Sequence, residues 1–304
     1  MGKQRPDRIL PSDAWTLILA VKQRVRSGRK VCDPLSLHAD PSGPPRVTET
    51  KEPDALLSVN NDGTWQAQAR ISTEVVQLLD LYLPIALISA DRPATVAHLG
   101  QSLDGRIATE SFDSYYVTGE ANIHHLHRMR ALCDAVIVGA GTVEQDDPQL
   151  TVRHVPGENP VRVVVDARRR LAGGYRVFTD GAAPTRLVCR ADGAAESGPK
   201  GADLLEIETE GPDLPPAAIV AALRGQGLGA LFVEGGGVTV SRFLAAGVLD
   251  RLQVAVAPMI IGSGRPSFTL PVIDKLSGAL RPPCRRFDMG EDVLFDFDLQ
   301  GQGA

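Results

Sequence analysis

Three glycines behind a carboxylate are the first residues in this chain whose type and spacing suggest a chemistry. The run Leu231-Phe232-Val233-Glu234 leads into Gly235-Gly236-Gly237 and then into a helical pattern. Bare backbone N–H groups at such a turn admit a phosphate closely, and the helix dipole favours the anion. A tight strand-to-helix turn with no ligand accounts for the glycines equally well. Glu234 tips the balance, because a carboxylate at a strand end faces the crevice and can accept hydrogen bonds from ring N–H groups. A second stretch, Val138-Gly139-Ala140-Gly141-Thr142-Val143-Glu144-Gln145-Asp146-Asp147-Pro148, repeats the strand-then-glycine design. The dinucleotide fingerprint needs a glycine where Glu144 stands. The turn still offers a surface to ribose or pyrophosphate.

Three further groups are candidates. Arg130 and Arg153 suit bidentate recognition of a phosphate, although solvated surface arginines are common. Asp104-Gly105, inside Gly100–Ala108, reads as a β-turn. His124, His125 and His127 crowd one helical stretch, and His124 and His127 are spaced to share a face. With no carboxylate or cysteine at matching spacing, an exposed helix face is expected there and no metal site.

The elements that must position these residues divide near Asp91–Pro93. Before that point, Ser12–Ser27 is expected to be a helix with Ser12 as N-cap and Trp15, Ile18, Leu19 and Val25 on one face. Cys32–Gly63, rich in Pro, Ser and Asp, is expected to be loop or linker. Thr73–Leu83 is expected to be a helix ended by Pro84. The N-terminal extension, 1–92, is thus partly helical with a Pro/Ser-rich linker, and 93–304 forms the main domain. From Ala94 onward, apolar runs alternate with helical segments. The strands expected are Thr95–Leu99, Ala135–Val138, Val161–Val165, Arg186–Cys189, Leu204–Glu206, Ala230–Val233 and Arg251–Ala257, with Val293–Leu299 as an edge hairpin strand. The helices expected are Glu120–Leu132, Pro215–Arg224 and Thr239–Ala246. Such alternation implies an α/β fold, a mostly parallel sheet flanked by helices, with its crevice at the C-terminal ends of the strands.

Composition narrows the function classes. A chain with 43% hydrophobic and 23% charged residues builds an ordinary core. A net charge of −5 argues against a general nucleic-acid binder. The longest apolar stretch, around Leu78–Ala90, is interrupted by Asp80 and Pro84, so no membrane span is expected. The basic N-terminus lacks the small-residue cleavage site of a secretory signal. Cys32, Cys133, Cys189 and Cys284 are scattered, which suggests free thiols in a reducing, cytoplasmic setting.

Taken in order, Ser102-Leu103-Asp104-Gly105-Arg106-Ile107-Ala108, Tyr116-Val117-Thr118, Arg130-Ala131-Leu132-Cys133-Asp134-Ala135, Gly139 through Asp147-Pro148, Leu150-Thr151-Val152-Arg153 and Val233-Glu234-Gly235-Gly236 resemble a known family. This is the reductase domain of the bacterial riboflavin-biosynthesis deaminase/reductase, matched over roughly Ala94–Leu299. The resemblance implies a dihydrofolate-reductase-like fold, a homodimer, NADPH as cofactor and a small phosphorylated heterocyclic substrate. The implied reaction reduces the ribosyl group of 5-amino-6-(5-phosphoribosylamino)uracil to ribityl. It further implies that Gly100, Tyr116, Thr142, Asp146, Ala167 and the turn Gly235, Gly236 and Gly237 contact cofactor. Ser114, Arg130, Leu150, Arg153 and Glu234 would contact substrate, the two arginines holding its phosphate. Asp104 and Glu234 take the catalytic positions. The run Arg168-Arg169-Arg170 after Asp166-Ala167 is expected to pair with the 2′-phosphate that distinguishes NADPH. The deaminase half has no counterpart, since His38-Ala39-Asp40 is followed by no Pro-Cys-x-x-Cys and Pro283-Cys284-Arg285-Arg286 lacks a second cysteine. Competing readings are a paralogous reductase of another pterin- or pyrimidine-like metabolite, and a non-catalytic nucleotide-binding protein of the same fold.

Overall fold

Apolar, β-branched runs separated by helical stretches pair into parallel strands wherever helices can cover both faces, and most of this chain is built that way. The computed structural model describes residues 8–28, 34–38, 40, 46–49, 54–114, 117–192 and 198–300. Two units divide the chain, residues 1–92 and 93–304. Among the described residues, no helix is long and apolar enough to cross a membrane.

The first unit contains α1 (Pro11–Arg26), β1 (Leu35–His38), β2 (Arg46–Thr48), β3 (Leu57–Val59), β4 (Trp65–Ala67) and α2 (Thr73–Ala86). The strands form an antiparallel sheet in the order β2-β1-β3-β4. Three of them fall in the stretch expected to be loop or linker. They are only three or four residues long, too short for an alternating pattern to stand out from the surrounding Pro, Ser and Asp. Two helix ends also differ from expectation. The N-cap of α1 is Leu10, whose N–H donates to Asp13 Oδ2 at 2.9 Å, and Ser12 lies inside the first turn. Pro84 sits within the last turn of α2 and does not end it. Buried Leu83, Ile85 and Ala86 hold that turn, and Leu87 N–H still reaches the Leu83 carbonyl at 3.1 Å. Trp15 meets Tyr82 edge-on where α1 packs on α2.

The second unit begins with β5 (Ala94–Ser102), β6 (Arg106–Thr109), α3 (Glu120–Leu132), β7 (Ala135–Gly139) and α4 (Ala140–Asp146). It continues through β8 (Val161–Val165), α5 (Arg176–Thr179), β9 (Thr185–Arg190), β10 (Asp203–Ile207) and α6 (Pro216–Gly225). It closes with β11 (Ala230–Glu234), α7 (Gly237–Ala245), β12 (Arg251–Ala257), β13 (Gly264–Pro266), β14 (Cys284–Met289) and β15 (Asp292–Asp298). Nine strands form one sheet in the order β10-β9-β8-β7-β11-β5-β12-β15-β14. All pairings from β10 to β12 are parallel, and β15 and β14 add an antiparallel hairpin. The expected edge strand at Val293–Leu299 is therefore second from the edge, covered by β14, whose exposed Cys284, Arg285 and Arg286 hid it from apolar pattern reading. A separate ribbon pairs β6 with β13.

Two features of the sheet position the site. The central strands β7 and β11 are buried on both faces, so Val136, Ile137, Val138, Leu231, Phe232 and Val233 are fully enclosed. Each such side chain contributes about 1.5–3 kcal/mol of burial. The register then sets Glu234 beside His98, His98 beside Gln253, Gln253 beside Asp296 and Asp296 beside Arg285. Register partners project to one face, so five strands share a transverse polar row.

The start of α7 is packed too tightly for any side chain at its first residue. A Cβ on Gly237 would lie 2.3 Å from the Ser267 carbonyl oxygen and 2.8 Å from that of Pro266. Gly237→Ala should destabilise the protein by about 1–3 kcal/mol, read as a fall in thermal or denaturant midpoint. Gly225→Ala, at a helical position where a Cβ meets nothing within 4 Å, serves as the control that does not lower the midpoint.

Candidate active site

The C-terminal ends of β5, β7, β8 and β11 open onto a cleft of about 870 Å³. Gly100, Thr142, Asp146, Ala167 and the turn Gly235–Gly237 line it. Ser114, Leu150 and Glu234 line it as well. Tyr116 lies outside the described residues. The two glycine turns lie side by side, with Gly236 N–H donating to Thr142 Oγ1 at 3.4 Å. A Cβ on Gly139 would come within 2.6 Å of Thr239 Oγ1, so any side chain there would displace that hydroxyl where β7 approaches α7. Leu150 adopts a left-handed backbone, φ +55°, uncommon for a branched residue. Burial raises the pKa of Asp146.

Glu234 is not free at the cleft. Arg130 grips its carboxylate in a two-pronged ion pair, Nε to Oε2 at 2.7 Å and the second nitrogen to Oε1. The remaining guanidinium nitrogen donates to the Thr151 carbonyl at 3.0 Å. Arg130 is buried and so engaged that the expectation of a phosphate-holding Arg130 needs correction: in this structure it braces Glu234. Arg153 is exposed, donates to Thr151 Oγ1 at 2.6 Å and makes no ion pair among the described residues.

Asp104 lies apart from the cleft lining. Its carboxylate accepts from the Ser102 hydroxyl at 2.6 Å and from the backbone of Ile261 and Gly262 at 3.1 and 2.7 Å. These bonds, the Ser102 hydroxyl first, hold its pKa at about 2. A group that stays ionised and spends both oxygens on two loops ties a turn in place. The catalytic expectation for Asp104 is corrected accordingly. The arginine run also separates. Arg169 turns to the β9–β10 edge of the sheet, bonding Cys189 Sγ, the Arg190 carbonyl and Glu206. Arg170 pairs with Glu144 at 2.6 Å. Arg168 is exposed, lines the cleft and makes no ion pair among the described residues.

The expected exposed histidine face is overturned as well. His125 and His127 are buried, and only His124 is partly exposed. His127 Nδ1 accepts the Arg153 backbone N–H at 2.9 Å, so it anchors the loop that carries that arginine. His125 Nε2 meets Gln253 Oε1 at 3.0 Å, and His98 Nε2 meets Asn122 Oδ1 at 2.9 Å. Each residue of the transverse row on β11, β5 and β12 therefore has one partner on α3: Arg130, Asn122 and His125. Asn122 and Gln253 escaped the sequence reading, which took His127 for part of an exposed face. The available signal was polar residues inside otherwise apolar strands.

A model of the RibD C-terminal domain matches residues 93–285. The chain belongs to the RibD C-terminal domain family. It is 36% identical over 225 residues to the 2,5-diamino-6-ribosylamino-4(3H)-pyrimidinone 5′-phosphate reductase of Methanothermobacter thermautotrophicus, covering 69% of this chain and 100% of that protein. It is 34% identical to the riboflavin biosynthesis protein RibD of Aquifex aeolicus, covering 58% of this chain and 49% of that one. The chain thus spans about half the length of that RibD relative. Among solved structures, it resembles the Thermotoga maritima diaminohydroxyphosphoribosylaminopyrimidine deaminase/5-amino-6-(5-phosphoribosylamino)uracil reductase. That match has 28% identity, a TM-score of 0.58 and coverage of 74% of this chain and 61% of the other. The expected mixed α/β fold is the one shared with RibD.

Within this RibD-type domain the buried imidazoles are held neutral. Burial lowers His98 to about 4 despite the opposing pull of Glu234 and Asn122. Burial, then neighbouring His98, takes His125 well below its usual value. Burial, then Arg130 and Arg153, takes His127 to about 3. An unfolded imidazole titrates near 6.5, so between there and about 4 the unfolded chain binds more protons than the folded one. Stability is therefore fully present above about 6.5 and declines as pH falls. For His98 the gap corresponds to roughly 3 kcal/mol. The melting temperature should drop steadily from pH 7 to pH 5, and His125→Gln should flatten that slope. An unchanged melting temperature across this range would contradict buried neutral histidines.

Proposed function

We propose that this protein is an NADPH-dependent reductase of the riboflavin pathway, reducing the ribosyl group of 5-amino-6-(5-phosphoribosylamino)uracil to ribityl. The observation that carries this reading is the cleft itself, where two adjoining glycine turns at strand ends meet a braced carboxylate. A second reading takes the 2,5-diaminopyrimidinone form of the phosphorylated substrate. It is favoured by the full-length coverage of the M. thermautotrophicus protein, which is named for that compound. Turnover on each purified compound, followed as oxidation of the reduced nicotinamide, separates the two. Turnover on neither defeats both.

The cleft fits the cofactor. Gly236 before α7 and Gly141 after β7, where a Cβ would meet nothing closer than 3.9 Å, leave backbone open to phosphates, with Ala167 alongside. Arg168, which makes no ion pair among the described residues, supplies a cation for the 2′-phosphate. Bound there, NADPH supplies the hydride. The chain's own residues bind and orient the substrate. Arg153 takes its phosphate, and Glu234, aimed by Arg130, accepts N–H groups of the heterocycle. Ser114 and Leu150 wall the same space.

Residues 93–304 form the catalytic unit of this proposal and 1–92 an accessory extension. A homodimer is supported by Ile260, Val272 and Leu276, exposed at 74%, 94% and 76% in one stretch of the second unit. A cytoplasmic location is supported by the scattered cysteines, of which Cys133 and Cys189 lie buried.

Losing one charge-assisted contact costs on the order of 1.5–3 kcal/mol, roughly ten- to a hundredfold. Arg153→Ala should raise KM for the phosphorylated substrate by that factor, leave KM for NADPH unchanged and barely affect a dephosphorylated analogue. Equal penalties on both analogues would remove the phosphate role. Arg168→Ala should weaken NADPH about tenfold and NADH little, and equal losses for both cofactors would contradict the assignment.

A further inference from the structure

We propose that His98 contacts the substrate directly, its Nδ1 accepting a hydrogen bond from an N–H or O–H group of the bound ribosylaminopyrimidine beside Glu234. This rests on the reading above and deepens it by adding a recognition residue that no sequence motif marked. His98 lines the cleft, is 3% exposed and stands in register with Glu234 on the neighbouring strand. Its hydrogen-bonding direction is fixed from behind. Asn122 Nδ2 donates to Thr118 Oγ1 at 2.9 Å, which leaves Asn122 Oδ1 to face the imidazole. Oδ1 is an acceptor, so the His98 proton sits on Nε2 and Nδ1 carries the lone pair. Among the described residues Nδ1 has no hydrogen-bond partner, and it is not among the polar atoms sealed from solvent.

The surroundings say what such an atom would take. A neutral acceptor beside the Glu234 carboxylate repels a phosphate and suits a ligand with adjacent donors, as an amino-substituted pyrimidine bearing a sugar is. The cation assigned to the cofactor's 2′-phosphate lies elsewhere. Arg168 follows β8, three strands away from β5, about 14 Å at the usual strand spacing. The facing groups are Glu234 on β11, Gln253 on β12, and Asn122 and His125 on α3, the last with its ring 5.1 Å from that of His98. Burial keeps the imidazole neutral over the physiological range, which preserves the lone pair.

Two substitutions separate contact with substrate from a purely structural role. In His98→Asn, Oδ1 overlays the position of Nδ1 but the side chain no longer reaches Asn122. In His98→Gln, the amide overlays Nε2 and keeps the Asn122 bond, but no acceptor remains at the Nδ1 position. The full chain is assayed with the phosphorylated ribosylaminopyrimidine and NADPH. The expected result is that His98→Gln raises substrate KM about tenfold with KM for NADPH unchanged, while His98→Asn stays within about threefold of wild type. The reverse ranking makes His98 a brace for Asn122 and overturns the proposal, as do equal effects of the two variants. Wild-type turnover in the same assay tests the parent reading independently of either variant.

Discussion

The grip of Arg130 on Glu234 is the interaction from which the rest of the site takes its shape. Moving a carboxylate and a guanidinium out of water is expensive, and two parallel hydrogen bonds with a third to Thr151 are what make this burial tolerable. The pair fixes the rotation of α3 over the sheet, because Arg130 has to reach β11. With α3 so set, Asn122 faces β5 and His125 faces β12, and both find partners there. Each contact is worth about 1 kcal/mol net. Leaving any one partner alone costs more, since the survivor stays buried and unsatisfied. The seam under α3 therefore specifies register more than it adds stability.

That specification extends to the cleft walls. The Thr151 carbonyl is held by Arg130 and the Arg153 backbone by His127, so two residues of α3 anchor the segment after Leu150. On the other side, Thr142 bridges the two glycine turns. The cleft is thus built from main chain and short side chains at strand ends, held by groups one step behind them. Such an arrangement loses little freedom when a ligand enters.

Most of the parallel sheet was legible from local pattern. Runs such as Ala135–Val138, Val161–Val165 and Arg251–Ala257 are unmistakable because both faces are covered and nearly every residue is apolar. The glycine turns were legible for the same reason, being breaks at the ends of those runs. What pattern missed was short or ambiguous: the three- and four-residue strands of the first unit, and β14 with its exposed arginines. The site was legible in part. Residue type singled out Glu234 and both arginines and the family resemblance grouped them, but neither can say that Arg130 spends its donors on Glu234. Nor can either say that Arg169 turns away to Glu206, since both facts depend on partners distant in sequence. The histidines were misjudged because α3 has an inner face as polar as its outer one, and periodicity of hydrophobic residues is blind to a polar seam.

The strand order has a kinetic consequence. β5 opens the second unit, yet its sheet partners are β11 and β12, which leave the ribosome almost last. At roughly 5–20 residues per second, the nascent β5 waits on the order of ten seconds for a neighbour. Over that interval an apolar strand has both edges unpaired, which invites pairing with other chains. Contacts this distant along the chain also slow folding. The half-site of β7, β8 and β9 can associate early from neighbouring sequence, but His98 cannot meet Glu234 until the synthesis of the unit is nearly complete. Ligand-binding competence in this molecule is consequently a late event in its biogenesis, and a chain truncated before β11 retains strands without ever owning a cleft.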